Sequence, residues 1–214
     1  MLSMTKKRGV FGGLVAAAAV VGAAFAAGFG ERPAAEPVKI GEAAPAFSLT
    51  DTNGDRHSLS DFSGKVVVLE WFNPDCPFVK KFHADSKVMK ETHAKFMNDE
   101  EVVFLAINSG APGKQGAGLE RNQLAIKEFK MEYPILLDES GEVGKTYGVK
   151  RTPEMFVIDR EGIVRYHGPI DSKRSASEVG TNYLEIAVQQ IRNGETDVIR
   201  PESDVYGCSV KYAN

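Results

Sequence analysis

Two almost continuously apolar segments constrain the fold of this chain more than any other feature. Residues 66–71 and 102–107 lack the polar–apolar alternation of a strand with one face in water. Segments of this kind are typical of strands that are covered on both faces. The sequence therefore predicts an α/β protein whose central sheet contains parallel strands.

Cys76, one of two cysteines, follows the first of these segments. A short turn separates the strand from a predicted helix that begins at Cys76, with Pro77 in its first turn, and extends to residue 96 over about 30 Å. The helix dipole and unpaired backbone N–H groups favour a thiolate at this position. Lys80, one helical turn later, adds positive charge, whereas Asp75 opposes it. Cys76 is therefore the predicted nucleophile.

The rest of the chain alternates between predicted strands and helices. A hairpin turn at Asn53-Gly54 joins two short strands. Further strands are predicted at 133–137, 149–159 and 163–166, and further helices at 119–130, 142–147 and 183–192. The glycine-rich segment 108–122 is expected to be a mobile surface loop, either a functional lid or a solvated insertion.

The N-terminal region divides into a targeting segment and a linker. Lys6-Lys7-Arg8 precedes an apolar stretch that ends in small residues, so residues 1–27 are predicted to be an export signal. An uncleaved membrane anchor is the alternative, because about eighteen apolar residues are the lower limit for spanning a bilayer. Residues 28–45 are expected to form a flexible leader, 46–172 the folded domain, and 173–214 a helix and an irregular tail.

The composition of the chain argues against several classes of partner and cofactor. A net charge of −3 and scattered basic residues argue against a nucleic-acid partner. No motif for a metal, nucleotide or organic cofactor is visible, so none is predicted. Export would place both cysteines where disulfides form and persist, which indicates that they act as a pair.

In this order of elements the chain resembles the thioredoxin fold, in its redoxin or peroxiredoxin-like (AhpC/TSA-type) branch, over about residues 38–171. Cys76 matches the family's nucleophile, Pro153 its cis-proline, and Glu70 its buried acid. The resemblance implies a mixed central sheet flanked by helices, with an N-terminal hairpin and a C-terminal helix plus tail. It also implies that Glu70 exchanges a proton with Cys76.

The resemblance further implies a substrate-binding surface. A cis-Pro153 leaves the backbone of Thr152 free to pair with an incoming peptide strand. Trp71, Phe72 and Pro77 are expected to form the apolar surroundings of this edge.

Two departures from the family pattern matter. Val79 stands where thioredoxins carry a second cysteine, so the Cys-x-x-Cys cycle is excluded. Peroxiredoxins have threonine or serine at the position of Asn73 and an arginine at the position of Pro153, for which Arg151 is the nearest substitute. Peroxide chemistry is therefore not matched residue by residue.

Cys208 is the only other thiol, so it is the candidate resolving partner of Cys76. The tail would fold back, or a neighbouring chain in a homodimer would donate it. The sequence thus predicts an exported oxidoreductase that acts on protein disulfides or on peroxide and takes electrons from an external thiol. The alternative is a redox-inert binding module in which the two cysteines form a structural disulfide.

Overall fold

In a computed structural model, residues 36–200 and 204–213 are described. The predicted export signal or anchor, residues 1–27, lies outside these ranges. Among the described residues, no helix is long and apolar enough to cross a membrane.

Nine strands and five α-helices build the described part of the chain. The strands are β1 Ser48–Asp51, β2 Arg56–Ser58, β3 Val66–Trp71, β4 Val102–Asn108, β5 Ile135–Leu137, β6 Arg151–Thr152, β7 Glu154–Ile158, β8 Val164–Gly168 and β9 Cys208–Ser209. The helices are α1 Pro77–Lys80, α2 Val88–Phe96, α3 Leu119–Phe129, α4 Glu142–Tyr147 and α5 Tyr183–Arg192. Seven strands form one sheet in the order β2-β1-β5-β4-β3-β7-β8, and β6 pairs with β9.

The sheet is mixed, as the sequence predicts. Strand β3 pairs in parallel with β4, and β4 pairs in parallel with β5, whereas β7 lies antiparallel to β3 and β8 antiparallel to β7. All six residues of β3 are buried. The β1–β2 hairpin expected around Asn53-Gly54 forms and adds to the edge at β5.

Alternate residues of β3 enter two separate cores. Val68 and Phe72 face the core that includes residues of α2, α3 and α5, and Cys76 belongs to this core as well. Leu69 and Trp71 face the opposite core, which includes Tyr147 at the end of α4. Coverage of both faces explains why β3 reads as an unbroken apolar run.

The segment 36–45, assigned by the sequence to a flexible leader, packs against the sheet. The backbone N–H of Gly41 donates to Val164 O (2.8 Å) and that of Ala44 to Gly162 O (2.9 Å). The side chain of Val38 is buried in the core beside α4. The packed body therefore begins before residue 46.

The prediction of a single helix over residues 76–96 is wrong. Helix α1 ends at Lys80, a π-helical turn follows over Lys81–Asp85, and Lys87 adopts a left-handed conformation (φ +58°) before α2. Ser86 closes the π turn, with its backbone N–H and hydroxyl both donating to Lys81 O. A π turn shifts the helical phase, and it places His83 and Lys81 inward.

The glycine-rich segment 108–122 was expected to be a mobile surface loop, but side-chain amides attach it to the body. Asn108 Nδ2 donates to Gly116 O (2.8 Å), and Asn73 Nδ2 donates to Gln115 O (3.1 Å). Asn122 Nδ2 donates to Gly118 O (2.7 Å) where α3 begins. The loop is thus held against the turn that precedes Cys76.

Candidate active site

Cys76 lies at the meeting point of β3, α1 and the C-terminal tail. It is the N-cap residue of α1, with Pro77 as the first helical residue. Its side chain is buried, and Sγ lies 3.1 Å from Thr152 O and 2.8 Å from Cys208 Sγ. Both cysteines are free thiols. The two residues singled out by the sequence, 132 positions apart, are therefore in direct contact.

The tail occupies the strand edge that the sequence assigned to a substrate. The peptide bond between Thr152 and Pro153 is cis, as expected. Strand β9 pairs antiparallel with β6, so that Thr152 faces Cys208 and Arg151 faces Ser209. The protein's own chain thus takes the place beside the cis-proline.

Two tyrosines anchor this tail on either side of Cys208. The hydroxyl of Tyr212 donates to Val149 O (3.0 Å), and that of Tyr206 donates to the Asp171 carboxylate. Between them, the backbone N–H of Ala111 donates to Lys211 O (2.8 Å). The two tyrosines that flank Cys208 thus dock the tail on the body.

The charged side chains near the two sulfurs lie on different elements of the structure. The side chain of Lys80 is exposed and makes no hydrogen bond or ion pair with the described residues. Burial and the neighbouring Cys76 raise the pKa of Cys208 to about 11, against a smaller opposing effect of Lys211 and Arg151. The cations that act on this thiol therefore come from the tail and β6.

Asp75, the acid beside the nucleophile, is neutralised by Arg121. The guanidinium donates to Asp75 Oδ1 through Nε (3.0 Å) and Nη2 (2.8 Å). Arg121 lies in α3, so the pair also ties that helix to the active-site turn. No local pattern in the sequence predicts this contact.

The model of the AhpC/TSA family matches residues 40–167, which include Cys76 and the Thr152-Pro153 bond. The chain belongs to the AhpC/TSA family. The thiol-disulfide oxidoreductase ResA of Bacillus thuringiensis subsp. konkukian is 32% identical over 133 residues, 60% of this chain and 69% of that protein.

Solved structures support the fold. A hypothetical protein from Sinorhizobium meliloti 1021 superposes with a TM-score of 0.72 at 27% identity, covering 82% of this chain and 96% of that one. The thioredoxin domain of a thiol-disulfide oxidoreductase from Bacteroides vulgatus gives a TM-score of 0.51 at 23% identity, covering 61% of this chain and 88% of that domain. The thioredoxin-like fold predicted from the sequence is confirmed.

Within this AhpC/TSA-family protein, the carboxylate of Glu70 is directed to other partners than the sulfur. It is buried, with Oε1 2.8 Å from His83 Nε2 and Oε2 accepting from the hydroxyl of Tyr133 (2.9 Å). Cys76 is not among its hydrogen-bond partners. Over the described ranges, no three His, Cys, Asp or Glu side chains are grouped to hold a metal ion.

The expectation that Trp71 and Phe72 form an apolar docking surface is wrong. Trp71 is fully buried against Tyr147 and Phe156, and Phe72 is buried in the opposite core. Because β3 is covered on both faces up to its last residue, neither ring reaches the surface. Of the predicted surroundings, only Pro77 is exposed.

Proposed function

We propose that this protein is a thiol-disulfide oxidoreductase in which Cys76 attacks a substrate disulfide and Cys208 resolves the product. The separation of 2.8 Å between the two sulfurs is the observation that carries the proposal. Thiol-disulfide exchange needs a second thiolate within reach of the mixed disulfide. The similarity to the thiol-disulfide oxidoreductase ResA supports the same reaction class.

The first step forms a mixed disulfide. The Cys76 thiolate attacks one sulfur of the substrate disulfide, a new S–S bond joins Cys76 to that sulfur, and the other substrate sulfur leaves as a thiolate. Neutralisation of Asp75 by Arg121 removes a negative charge that would otherwise disfavour the attacking thiolate. The substrate is reduced only when the second step releases its other half.

The second step uses Cys208. Its thiolate attacks Cys76 Sγ, forms the Cys76–Cys208 disulfide and releases the remaining substrate thiolate. An external dithiol then reduces this disulfide, taking up the two oxidising equivalents. Since Val79 stands in the usual position of a resolving cysteine, Cys208 replaces it from the tail.

Substrate access requires that the tail moves. Cys76 is 1% exposed, and its neighbour Thr152 is paired with Cys208. Opening breaks the β6–β9 contact, which involves two residues on each strand, together with the anchoring hydrogen bonds of Tyr206, Lys211 and Tyr212. We therefore assign a substrate peptide to the same edge, in exchange with the tail.

Disulfide exchange is favoured over peroxide reduction. The Asn73 side chain, which stands where peroxiredoxins have threonine or serine, is already engaged: Oδ1 accepts from the N–H of Asp75 (2.9 Å) and Nδ2 donates to Gln115 O. Arg151 is exposed and lies on the tail side of the site. The burial of Trp71 and Phe72 weighs against the binding-module alternative, because neither ring is available to dock a partner.

Export is part of the proposal. It is supported by the basic and apolar pattern of residues 1–27, and a disulfide between Cys76 and Cys208 would persist outside the cytoplasm. Protein disulfides are the proposed substrates and an external thiol the reductant.

Two cysteine variants test the function. With a disulfide-bonded protein substrate and an external dithiol, Cys76→Ser should abolish turnover, and Cys208→Ser should accumulate a mixed disulfide that mass spectrometry detects on Cys76. Full turnover by the Cys76→Ser variant would refute the proposal. A parallel assay with hydrogen peroxide distinguishes the two oxidants, because only peroxide leaves a sulfenic acid on Cys76 in the Cys208→Ser variant.

A further inference from the structure

We infer that Tyr206 is a positioning residue for Cys208, held by a receptor for its hydroxyl that the Lys81–Asp171 ion pair forms on the body of the protein. The inference rests on the proposed role of Cys208 as resolving thiol. It assigns a task to a buried ion pair near the site that the exchange steps do not use.

The receptor is almost completely buried. The side chains of Lys81 and Asp171 are 2% and 0% exposed, and Lys81 Nζ lies 3.1 Å from Asp171 Oδ1. Lys81 Nζ also donates to Lys173 O (2.7 Å). The Tyr206 hydroxyl donates to the same carboxylate oxygen of Asp171 and lies 3.4 Å from Lys81 Nζ. A buried ion pair is therefore in contact with a tail residue two positions from the resolving cysteine.

The receptor is complete without the tail. Asp171 Oδ2 accepts from the N–H of Gly180 (2.8 Å), and Oδ1 accepts from the N–H of Lys173 (3.1 Å) in addition to Lys81. All these partners belong to the body, so the carboxylate and the ammonium stay paired when Tyr206 leaves. Tyr206 is thus the only tail residue bound to this cluster within the described ranges. Burial and the hydrogen bond to Asp171 raise the pKa of Tyr206, so its hydroxyl remains a donor.

The spacing connects this contact to the sulfur. Tyr206 and Cys208 both face the body, because the Tyr206 hydroxyl contacts Asp171 and Cys208 Sγ contacts Cys76 Sγ. Tyr206 belongs to the core cluster that contains Cys76, and Cys208 packs against that cluster. The ring of Tyr206 packs edge-on against Phe78, two residues after Cys76 (centroids 5.7 Å apart). The contacts of the Tyr206 side chain therefore fix the position and the orientation of Cys208 relative to Cys76.

The test measures how well the tail covers Cys76. In a Cys208→Ser background, which leaves one thiol, Tyr206→Phe should accelerate alkylation of Cys76 by iodoacetamide about tenfold at every pH. That factor is the usual effect of losing one hydrogen bond to a charged group. A change in coverage multiplies the rate uniformly, whereas a change in the ionisation of Cys76 would move the midpoint of the pH profile.

Tyr147→Phe in the same background is the matched control. Its hydroxyl donates to Pro45 O (2.7 Å) in the opposite core and makes no hydrogen bond to Lys81 or Asp171, so the variant loses a tyrosine hydrogen bond without touching the receptor. The alkylation rate of this control should stay unchanged. Equal rates in the Tyr206→Phe and parent proteins, or equal acceleration in both tyrosine variants, would overturn the inference. Alkylation of Cys76 needs no substrate, so its result does not depend on the disulfide-exchange assay. Failure of the proposed function would appear only in the disulfide-exchange assay.

Discussion

Replacing Gly207 with alanine should detach Cys208 from Cys76 without altering either sulfur. A Cβ atom at Gly207 would lie 2.1 Å from Thr152 O, more than 1 Å closer than the roughly 3.3 Å usual between carbon and oxygen. Gly207 also has φ +139°, a conformation that L residues rarely adopt. Alanine would therefore push the tail off β6 at the residue next to Cys208.

The magnitude follows from these two effects. Backbone strain of this kind costs about 1–3 kcal/mol, and the close approach to Thr152 O prevents relief in the docked position. If alanine destabilises the docked tail by about 2 kcal/mol, the ratio of docked to undocked tail falls roughly 30-fold. In the mixed disulfide the substrate already competes for the Thr152 edge, so the rate of resolution should fall by the same factor.

A coloured leaving group allows each step to be followed. With an aromatic disulfide that releases an absorbing thiolate, attack by Cys76 releases the first equivalent and attack by Cys208 the second. The Gly207→Ala variant should retain or accelerate the first phase and slow the second about 30-fold. Gly54→Ala is the matched control, because Gly54 also has positive φ (+95°) but no atom lies within 4 Å of the added Cβ. A second phase as fast in Gly207→Ala as in Gly54→Ala would refute the argument that tail docking positions the resolving thiol.

Two further predictions concern ionisable groups. Because the pKa of Cys208 is raised from 9.0 to about 11, its alkylation in the reduced protein should rise about tenfold per pH unit between pH 7 and 9 and level off only near pH 11, as followed by mass spectrometry. The folded state holds this proton more tightly than the unfolded state, so the linked contribution to stability is present below pH 9 and is lost as pH rises towards 11. Glu70→Gln should lower the free energy of unfolding by about 2–3 kcal/mol in urea titrations, because charged hydrogen bonds to His83 and Tyr133 are weakened. An unaltered urea midpoint, combined with a displaced pH profile of the first coloured phase, would instead support proton exchange between Glu70 and Cys76.

Much of the sheet could be predicted from local patterns. The apolar run of β3, the Asn-Gly hairpin and α5, which spans Tyr183–Arg192 as expected, each carry their signal within a few residues. The cis bond at Pro153 followed from the family resemblance. These features depend on period and turn chemistry, which a single sequence records.

The features that could not be predicted depend on distant partners. The end of the α-helix after Lys80 places Lys81 against Asp171, a contact across 90 positions in the sequence. No residue type near Lys87 predicts its left-handed conformation. Pairing of β9 with β6 involves only two residues on each strand, too few for a recognisable pattern. The burial of Trp71 against Tyr147 and Phe156 agrees with the apolar pattern of β3, so the docking role expected for Trp71 conflicted with that pattern.

The separation of 132 positions between the two sulfurs links folding to oxidation. Closing a ring of this length removes so many unfolded conformations that the chain-entropy model gives about 5 kcal/mol of stabilisation. By the same thermodynamic cycle, the native fold favours the bond between the sulfurs by that amount over the denatured chain. The same free energy therefore stabilises the fold against heat and the disulfide against reductants. The melting temperature of the oxidised protein should be well above that of the reduced protein.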